Sequence, residues 1–252
     1  MEDTQSILAK FIPISLERMK EVTLLDRIDK KFIFNAEMLG DILEKLATDY
    51  YALEINGLRT ARYETVYFDT PSYEMYTKHH NGKLNRHKVR FRTYLDSEKS
   101  FFEIKFKNNK GRTLKTRVKN EVNNYTITGN LQLLLNEKTS YKVSELERVL
   151  RVFYYRITLI NKNLTERITI DFGLEYEHKG EFFHFPNLVI AEVKQDKSAD
   201  SIFKDLMLEK RIKPLSLSKY CLGIAKTVKE VKTNNLKPKI RYVNQIISKH
   251  AS

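Results

Sequence analysis

The sequence has few of the features that organise secreted, multidomain or membrane proteins. Among its 252 residues there is one cysteine, and the five prolines and eight glycines are scattered along the chain. A single cysteine excludes an internal disulfide framework and favours a reducing compartment. Since no Pro- or Gly-rich stretch marks a linker, we predict one domain over residues 1–232 and a C-terminal tail of undefined order over 233–252.

Long apolar runs are also missing. No segment approaches the roughly 20 apolar residues that a membrane-spanning helix needs, and the first residues lack a basic stretch followed by an apolar one. We therefore expect no signal peptide, no membrane segment and a cytoplasmic location. The consensus G-x-x-x-x-G-K-[ST] does not occur either, which argues against a Walker-type ATPase.

Positive charge, in contrast, is abundant and concentrated. The formal net charge is +13, and residues 83–119 hold 13 Lys and Arg against three acidic residues, an excess of ten within 37 positions. Such a local excess predicts a polyanionic partner, which could be nucleic acid, an anionic membrane surface or a phosphate-rich small molecule. The 41% of hydrophobic residues is enough to build a sizeable core.

The basic segment is predicted to form three short strands, each charged on one face. In "KVRFRTY", "FFEIKFK" and "RTLKTRVK", basic or acidic residues alternate with apolar ones, the period of a strand with one buried face. Other segments show the same alternation, so that eight strands are predicted in all: 27–34, 62–68, 88–94, 101–107, 112–119, 152–159, 164–172 and 188–195.

Helical patterns lie between and after these strands. "NAEMLGDILEKLAT" offers Asn35 as an N-cap, "TPSYEMYTKHHNG" stops at a glycine, "SELE" at 144–147 fits a capping box, and "SADSIFKDLMLEK" and "SKYCLGIAKTVKE" are amphipathic. We predict an α+β fold: a closed antiparallel eight-stranded β-barrel with a charged lumen, its apolar outer faces covered by amphipathic helices. An ordinary sheet with one solvated polar face is the alternative.

In their order along residues 27–223, these motifs resemble the VTC domain, the polyphosphate polymerase branch of the CYTH-like triphosphate tunnel metalloenzymes. The resemblance rests on "RIDKKFIF", "YETVYFDTPSYEMYTKHHNGKLNRHKVRFRTY", "FFEIKFK", "GRTLKTRV", "FYYR", "ERITIDFG", "VIAEVKQ" and "SLSKYCLG". It implies an enzyme that transfers the γ-phosphate of ATP onto a growing inorganic polyphosphate chain inside a basic tunnel, with Mn²⁺ or Mg²⁺ as cofactor.

The resemblance also implies roles for individual residues. Glu192 and, second to it, Glu103 would bind the metal, and Tyr154 would stack on the nucleotide base. The catalytic set would be Arg90, Arg92, Lys105, Lys115, Arg156, Arg167 and Lys219. Phosphate would be bound by that set together with Lys31, Arg117, Lys194 and Ser218.

The chemistry of these residue types agrees with that assignment. An arginine presents a planar fork of donors that fits phosphate oxygens and keeps its charge in a crowded positive site. A divalent cation needs only one or two protein carboxylates when phosphates and water complete its shell.

One departure from the wider superfamily matters. Its cyclase and thiamine triphosphatase branch carries E-x-E-x-K near the N-terminus, whereas this sequence reads "RIDKKF", which favours the polymerase branch. A metal-dependent tripolyphosphatase and a polyphosphate-binding sensor of the same fold stay open as alternatives. A basic RNA-binding module is disfavoured, because the aromatic residues alternate with the charged ones and so cannot stack bases beside phosphate contacts.

Simpler roles for the same residues also stay open. Glu103 and Glu192 could pair with Lys105 and Lys194 two positions on, and the lysines could be solvated. Asp171 could either orient an arginine or bind the metal, and Tyr154 could be core packing.

Overall fold

The computed structural model describes residues 2–22, 27–197 and 199–248. Within them the chain forms eight α-helices and eleven β-strands. In chain order these are α1 (Glu2–Ala9), β1 (Ile12–Ile14), α2 (Leu16–Met19), β2 (Arg27–Asn35), α3 (Leu39–Leu46), β3 (Tyr50–Leu53), β4 (Thr60–Asp69), α4 (Glu74–His80), β5 (Arg86–Tyr94), β6 (Lys99–Lys107), β7 (Thr113–Asn120), α5 (Asn130–Lys138), β8 (Glu147–Asn161), β9 (Glu166–His178), β10 (Glu181–Phe185), β11 (Leu188–Asp196), α6 (Ile202–Glu209), α7 (Lys219–Thr227) and α8 (Lys237–Ser248).

Eight strands form the main path of one sheet, in the order β2-β11-β9-β8-β4-β5-β6-β7. Every neighbouring pair on this path is antiparallel. These are the eight strands that the alternation of charged and apolar residues predicts. Strands β1, β3 and β10 were not predicted from the sequence; they have three to five residues each and flank the path.

The sheet is strongly curled. Lys31 on β2 donates to the backbone oxygen of Leu217, and Lys88 on β5 donates to the hydroxyl of Ser218, the next residue. The two strands are five steps apart in the sheet order, which would separate them by about 24 Å if the sheet were flat. Because both lysines reach the same short segment, the face that carries them must be concave.

The predicted closure of the barrel, however, is not shown. In the part of the chain that the structure describes, β2 and β7 are the two ends of the strand order and no backbone pairing joins them. The α+β class and the large antiparallel sheet are confirmed.

The convex face carries two apolar cores. Phe32 and Phe34 of β2, with the outward residues of β8, β9 and β11, pack under α1, α3 and α6. Val89 and Phe91 of β5, with the outward residues of β4 and β6, pack under α5. Helices therefore cover the outer apolar face, as the alternation predicted. Ser198, at the start of the predicted α6 segment, lies outside the described residues.

Helix α7 lies on the concave face instead of the convex one. It packs with Tyr67, Leu150 and Tyr176 in a third core. Five consecutive residues from Tyr220 to Ile224 are buried, and a helix that is apolar on all sides is expected in an interior. Gly223 makes this contact possible, because a Cβ there would come within 2.5 Å of Leu150 and Tyr176 side-chain atoms.

The segment after Lys232, for which the sequence indicates no element, forms α8 up to Ser248. Its Val243 is fully buried, and the side-chain amide of Asn35 donates to the backbone oxygen of Ile246 at 2.9 Å. Residues 249–252 of the predicted tail lie outside the described part. None of the helices described is long and apolar enough to cross a membrane.

Two local predictions have opposite outcomes. Asn35 does cap the turn that leads into α3, since its side-chain oxygen accepts from the backbone N–H of Glu37. The capping box expected at 144–147 does not start an α-helix. A single 3-10 turn, Val143–Glu145, occurs there and β8 follows at once. The cap residue is Lys142, whose backbone N–H donates to Glu145 at 2.6 Å.

Candidate functional site

The polar half of the concave face carries the residues that the sequence predicts for the site. On each strand they occupy alternate positions, so that they share the face that holds α7. By element they are Lys31 on β2, Arg90 and Arg92 on β5, Glu103 and Lys105 on β6, Lys115 and Arg117 on β7, Tyr154 and Arg156 on β8, Arg167 on β9, Glu192 and Lys194 on β11, and Ser218 and Lys219 at the start of α7.

Glu103 is the centre of a first, buried ion-pair cluster. Its carboxylate is fully buried and accepts two hydrogen bonds from Arg90, at 2.8 Å from Nε and 2.6 Å from Nη2. Lys115 of β7 forms a salt bridge with the other oxygen. Burial would raise the pKa of Glu103, but Arg90, Arg92 and Lys115 hold it well below its usual range.

The sequence left open a pairing of Glu103 with Lys105, and that pairing is wrong. Register decides the partner: Arg90 lies directly opposite Glu103 on the neighbouring strand. Directly opposite residues have Cβ atoms about 5 Å apart, whereas residues i and i+2 of one strand are about 6.6 Å apart. Lys105 forms no salt bridge with any residue that the structure describes.

Positive charge is in excess around this cluster. Arg90 first, then burial and Arg92, lower the pKa of Lys105 to about 5. The Nε of Arg92 is buried and lacks a hydrogen-bond partner among the described residues. Burial, aided by Lys31 and Arg90, lowers the pKa of Lys88 to about 8. One carboxylate therefore does not neutralise the cations that converge here, and an anion would.

Asp171 is the centre of a second cluster. Arg156 donates to it from Nε at 2.5 Å and from Nη2 at 2.7 Å, and Lys219 of α7 forms a salt bridge with it. Although burial acts in the opposite direction, Arg156 and Lys219 lower the pKa of Asp171 to about 2. Asp171 thus orients an arginine, one of the two roles that the sequence left open.

Tyr154 lies between these clusters. Its ring stacks on Tyr63 with centroids 5.1 Å apart, and the ammonium of Lys219 lies 4.7 Å from the ring centroid. Arg156 lies 5.4 Å from the same ring. The side chain is buried, and its hydroxyl has no hydrogen-bond partner among the residues described. Neighbouring aromatic and cationic groups already cover the ring, so base stacking by Tyr154 stays a prediction.

Glu192 belongs to a third and more open cluster. Lys194 forms a salt bridge with it at 2.7 Å, and Lys31 lies 3.7 Å away. Lys194 also pairs with Asp29 at 2.9 Å. Burial would raise the pKa of Glu192, but Lys31 and Lys194 lower it well below the usual range. The salt bridge to Lys194 is the simpler role that the sequence left open.

The three carboxylates differ in their fitness for a metal ion. In the described part of the chain, no three His, Cys, Asp or Glu side chains converge as a metal site. Glu103 is fully buried with both oxygens engaged, and Asp171 is held by two cations. The side chain of Glu192 is 26% exposed, so that Glu192 fits a divalent cation whose other ligands are phosphate and water.

The remaining predicted residues lie at the margins. Ser218 is the N-cap of α7, and its hydroxyl accepts from the backbone N–H of Cys221 at 3.3 Å. Arg117 is exposed and lies 4.9 Å from the ring centroid of Phe101. Arg167 lies opposite Lys194 in the β9–β11 pairing.

Three residues of the site were missing from the predicted set. Tyr63 and Tyr67 of β4 contact Arg156 and Arg90, respectively, and their i, i+4 spacing places both on the charged face. Lys88 lies two residues before Arg90, so the same alternation contains the signal that would have found it.

Residues 26–228 match the family model of the VTC domain. The chain belongs to the VTC domain family. No curated protein sequence matches it at a significant level. Within the family match lie all eight strands of the main path, α7 and the three ion-pair clusters.

Solved structures similar to this VTC domain show the same fold. A candidate adenylate cyclase from Bacillus halodurans matches with a TM-score of 0.54 and 14% identity, over 81% of this chain and 98% of that one. A candidate adenylyl cyclase from Hippeastrum, described with a dominant triphosphatase activity, matches with a TM-score of 0.51 and 14% identity, over 81% and 98% of the two chains. At this identity the likeness concerns the fold alone.

Proposed function

We propose that this VTC domain is a metal-dependent phosphotransferase that moves the γ-phosphate of ATP onto the end of an inorganic polyphosphate chain. One observation carries the proposal. Around the buried Glu103, the concave face leaves Lys105 without a salt bridge among the described residues and the Nε of Arg92 without a hydrogen bond. A triphosphate or polyphosphate is an anion of the right charge to complete such a site.

The reaction asks two things of the protein, in-line positioning and charge neutralisation. Arg90 and Arg156 are locked by Glu103 and Asp171, so that their unused N–H groups are held in fixed directions. Arg92 and Lys105 supply charge that a phosphate recruits on binding. Glu192 would hold a divalent cation, which supplies further neutralisation of phosphate oxygens.

The roles of the predicted residues follow from this arrangement. Arg90, Arg92, Lys105, Lys115, Arg156, Arg167 and Lys219 would act on the reacting phosphates, and Lys31, Lys194 and Ser218 would extend the same cationic face. Arg117, which is exposed, would contact the chain outside the central part. Closure of the sheet into a tunnel around the bound chain belongs to the same proposal.

The test is turnover with ATP and Mn²⁺, with products separated on a polyphosphate gel and free phosphate measured in parallel. Wild type should give polymer, and Arg92→Gln should reduce its rate at least tenfold. Arg62→Gln is the matched control, because Arg62 is an exposed arginine paired with Asp96, and it should behave as wild type. Release of free phosphate without polymer would assign a tripolyphosphatase instead, and binding without turnover would assign a sensor.

The role of Glu192 needs a separate experiment. Glu192→Gln should raise the Mn²⁺ concentration needed for half-maximal rate and lower the maximal rate, while metal-free binding of tripolyphosphate persists or tightens. A variant with the wild-type rate and the wild-type Mn²⁺ requirement would leave Glu192 as a partner of Lys194 only.

A further inference from the structure

A further group of cations, in addition to the three ion-pair clusters, meets at the segment before α7. The ammonium of Lys31 donates to the backbone oxygen of Leu217 at 3.3 Å, and that of Lys88 to the hydroxyl of Ser218 at 2.9 Å. Lys239 of α8 donates to the backbone oxygen of Ser216 at 2.7 Å. Three lysines from β2, β5 and α8 thus converge on three consecutive residues.

Arg86 and His79 belong to the same region as these three lysines. Arg86 lies two positions before Lys88 on β5 and shares its face. Burial first, and then Lys88, Arg86, Lys239 and Lys31, lower the pKa of His79 to about 2. Since four cations act on one imidazole, they lie within electrostatic range of a common point. The Nδ1 of that imidazole is buried and has no hydrogen-bond partner in the described part of the chain.

This group, here called the α7-entry cluster, consists of Lys31, Arg86, Lys88 and Lys239. It is poor in negative charge. The three acceptors named above are two carbonyls and a hydroxyl, all neutral, and each uses one of the three N–H donors of an ammonium group. Of these four residues, only Lys31 forms a salt bridge with a carboxylate in the part of the chain that the structure describes, to Glu192 at 3.7 Å. Mutual repulsion of these cations lowers stability, and a bound anion would relieve it.

The α7-entry cluster is continuous with the central site, which is the part of the concave face around Glu103, Asp171 and Glu192. Lys31 contacts both Leu217 and Glu192, and Ser218 is followed directly by Lys219, which pairs with Asp171. An anion with repeating phosphate groups could therefore bind both places at once. A linear polyphosphate has that form, and a single orthophosphate does not.

We propose that Lys88, Arg86 and Lys239, with Lys31, form an additional subsite that holds a phosphate group of a polyphosphate chain beside the central site. Lys239 lies in α8, beyond the VTC match that ends at residue 228. Helix α8 is therefore part of the binding surface of this chain as well as a cover for the core. That the anion is polyphosphate rests on the proposed function.

The test is calorimetric titration of the full chain with long-chain polyphosphate and, separately, with pyrophosphate, without ATP or metal. Lys239→Gln should weaken long-chain binding about 10- to 100-fold, the scale of a lost hydrogen bond to a charged group. Lys239→Arg keeps the charge and should stay near the wild-type affinity. The control is Arg241→Gln, an equal loss of charge at an exposed position of the same helix, which should change little.

Each outcome has a meaning. A loss for polyphosphate alone supports a subsite that extends chain binding, and a loss for both ligands supports a phosphate site that free and chain phosphate share. Wild-type affinity of Lys239→Gln for both ligands would overturn the subsite. If thermal melts show that this variant is unfolded, Lys88→Gln decides by the same criteria.

The subsite and the proposed function fail separately. A wild-type protein that binds polyphosphate with the expected Lys239 dependence but makes no polymer from ATP keeps the subsite and removes the polymerase. Polymer synthesis together with wild-type polyphosphate affinity of Lys239→Gln and Lys88→Gln keeps the polymerase and removes the subsite. A wild-type protein that binds no polyphosphate contradicts both.

Discussion

Replacing Glu103 by glutamine removes the negative charge around which the first cluster is built. Glu103 is fully buried and Arg90 is 5% exposed, so bulk water does not replace the lost carboxylate beside Arg90. Arg90 would keep its hydrogen bond to the hydroxyl of Tyr67 at 3.2 Å, and the new amide oxygen could accept one hydrogen bond. The arginine would nevertheless be a buried charge without a counter-charge.

The expected size of the effect follows from that geometry. Breaking a buried ion pair by removing one partner costs about 3–5 kcal/mol of the free energy of unfolding. For a chain of this length, 1 kcal/mol corresponds to about 2–4 °C in melting temperature, so the Glu103→Gln variant should melt about 6–20 °C below wild type. Repulsion among Arg90, Arg92 and Lys115 adds to the loss.

The same variant should respond more strongly to anions. Its cationic cluster carries one more net positive charge, which bound pyrophosphate can neutralise. Pyrophosphate at a fixed concentration should therefore raise the melting temperature of Glu103→Gln by more than that of wild type. The assay is urea unfolding followed by circular dichroism, together with melts with and without pyrophosphate.

Glu192→Gln is the matched control, because it removes the same charge from the same face. Its side chain is 26% exposed and pairs with lysines, so its loss should cost about 1 kcal/mol or less. An unfolding free energy of Glu103→Gln within about 1 kcal/mol of wild type would refute the role of Glu103 as a buried counter-charge. Equal stabilisation of Glu103→Gln and wild type by pyrophosphate would refute it as well.

Three further predictions concern α7 and the titrating groups. Gly223→Ala should lower the free energy of unfolding by about 1–3 kcal/mol through overpacking, and it should slow turnover because it displaces α7. An unchanged midpoint of urea unfolding would contradict the buried position of this helix. The pKa of Lys88 is lowered to about 8, so its charge is lost as pH rises through that value. The affinity of wild type for tripolyphosphate should therefore fall between pH 7 and 9, and the affinity of Lys88→Gln should depend less on pH. Equal pH dependence of the two affinities would remove Lys88 from the site. The pKa of Asp171 is lowered to about 2, so the stability from its pair with Arg156 is present above about pH 4 and lost as pH falls towards 2. Asp171→Asn should have a lower free energy of unfolding at pH 7, and that free energy should decline less in acid than it does for wild type. The same acid dependence in variant and wild type would contradict this.

The sequence alone determined which residues share a face and which chemistry they carry. Strict alternation over eight segments specified the strands of the main path, because the side-chain period of a strand is two and one face must be apolar. The order of the motifs specified the family. Local signals such as the Asn35 cap were also sufficient, since their partners lie within a few residues.

Tertiary structure alone decided which charges meet. Arg90 rather than Lys105 neutralises Glu103, because strand register places Arg90 directly opposite. Helix α7 lies inside the curl because Gly223 lets it approach Leu150 and Tyr176. Lys239 joins Lys31 and Lys88 across about 150 to 210 positions of sequence because the curled sheet and α8 bring them to one segment. Such contacts depend on the accumulated twist and packing of many elements, which the period of a single strand does not encode.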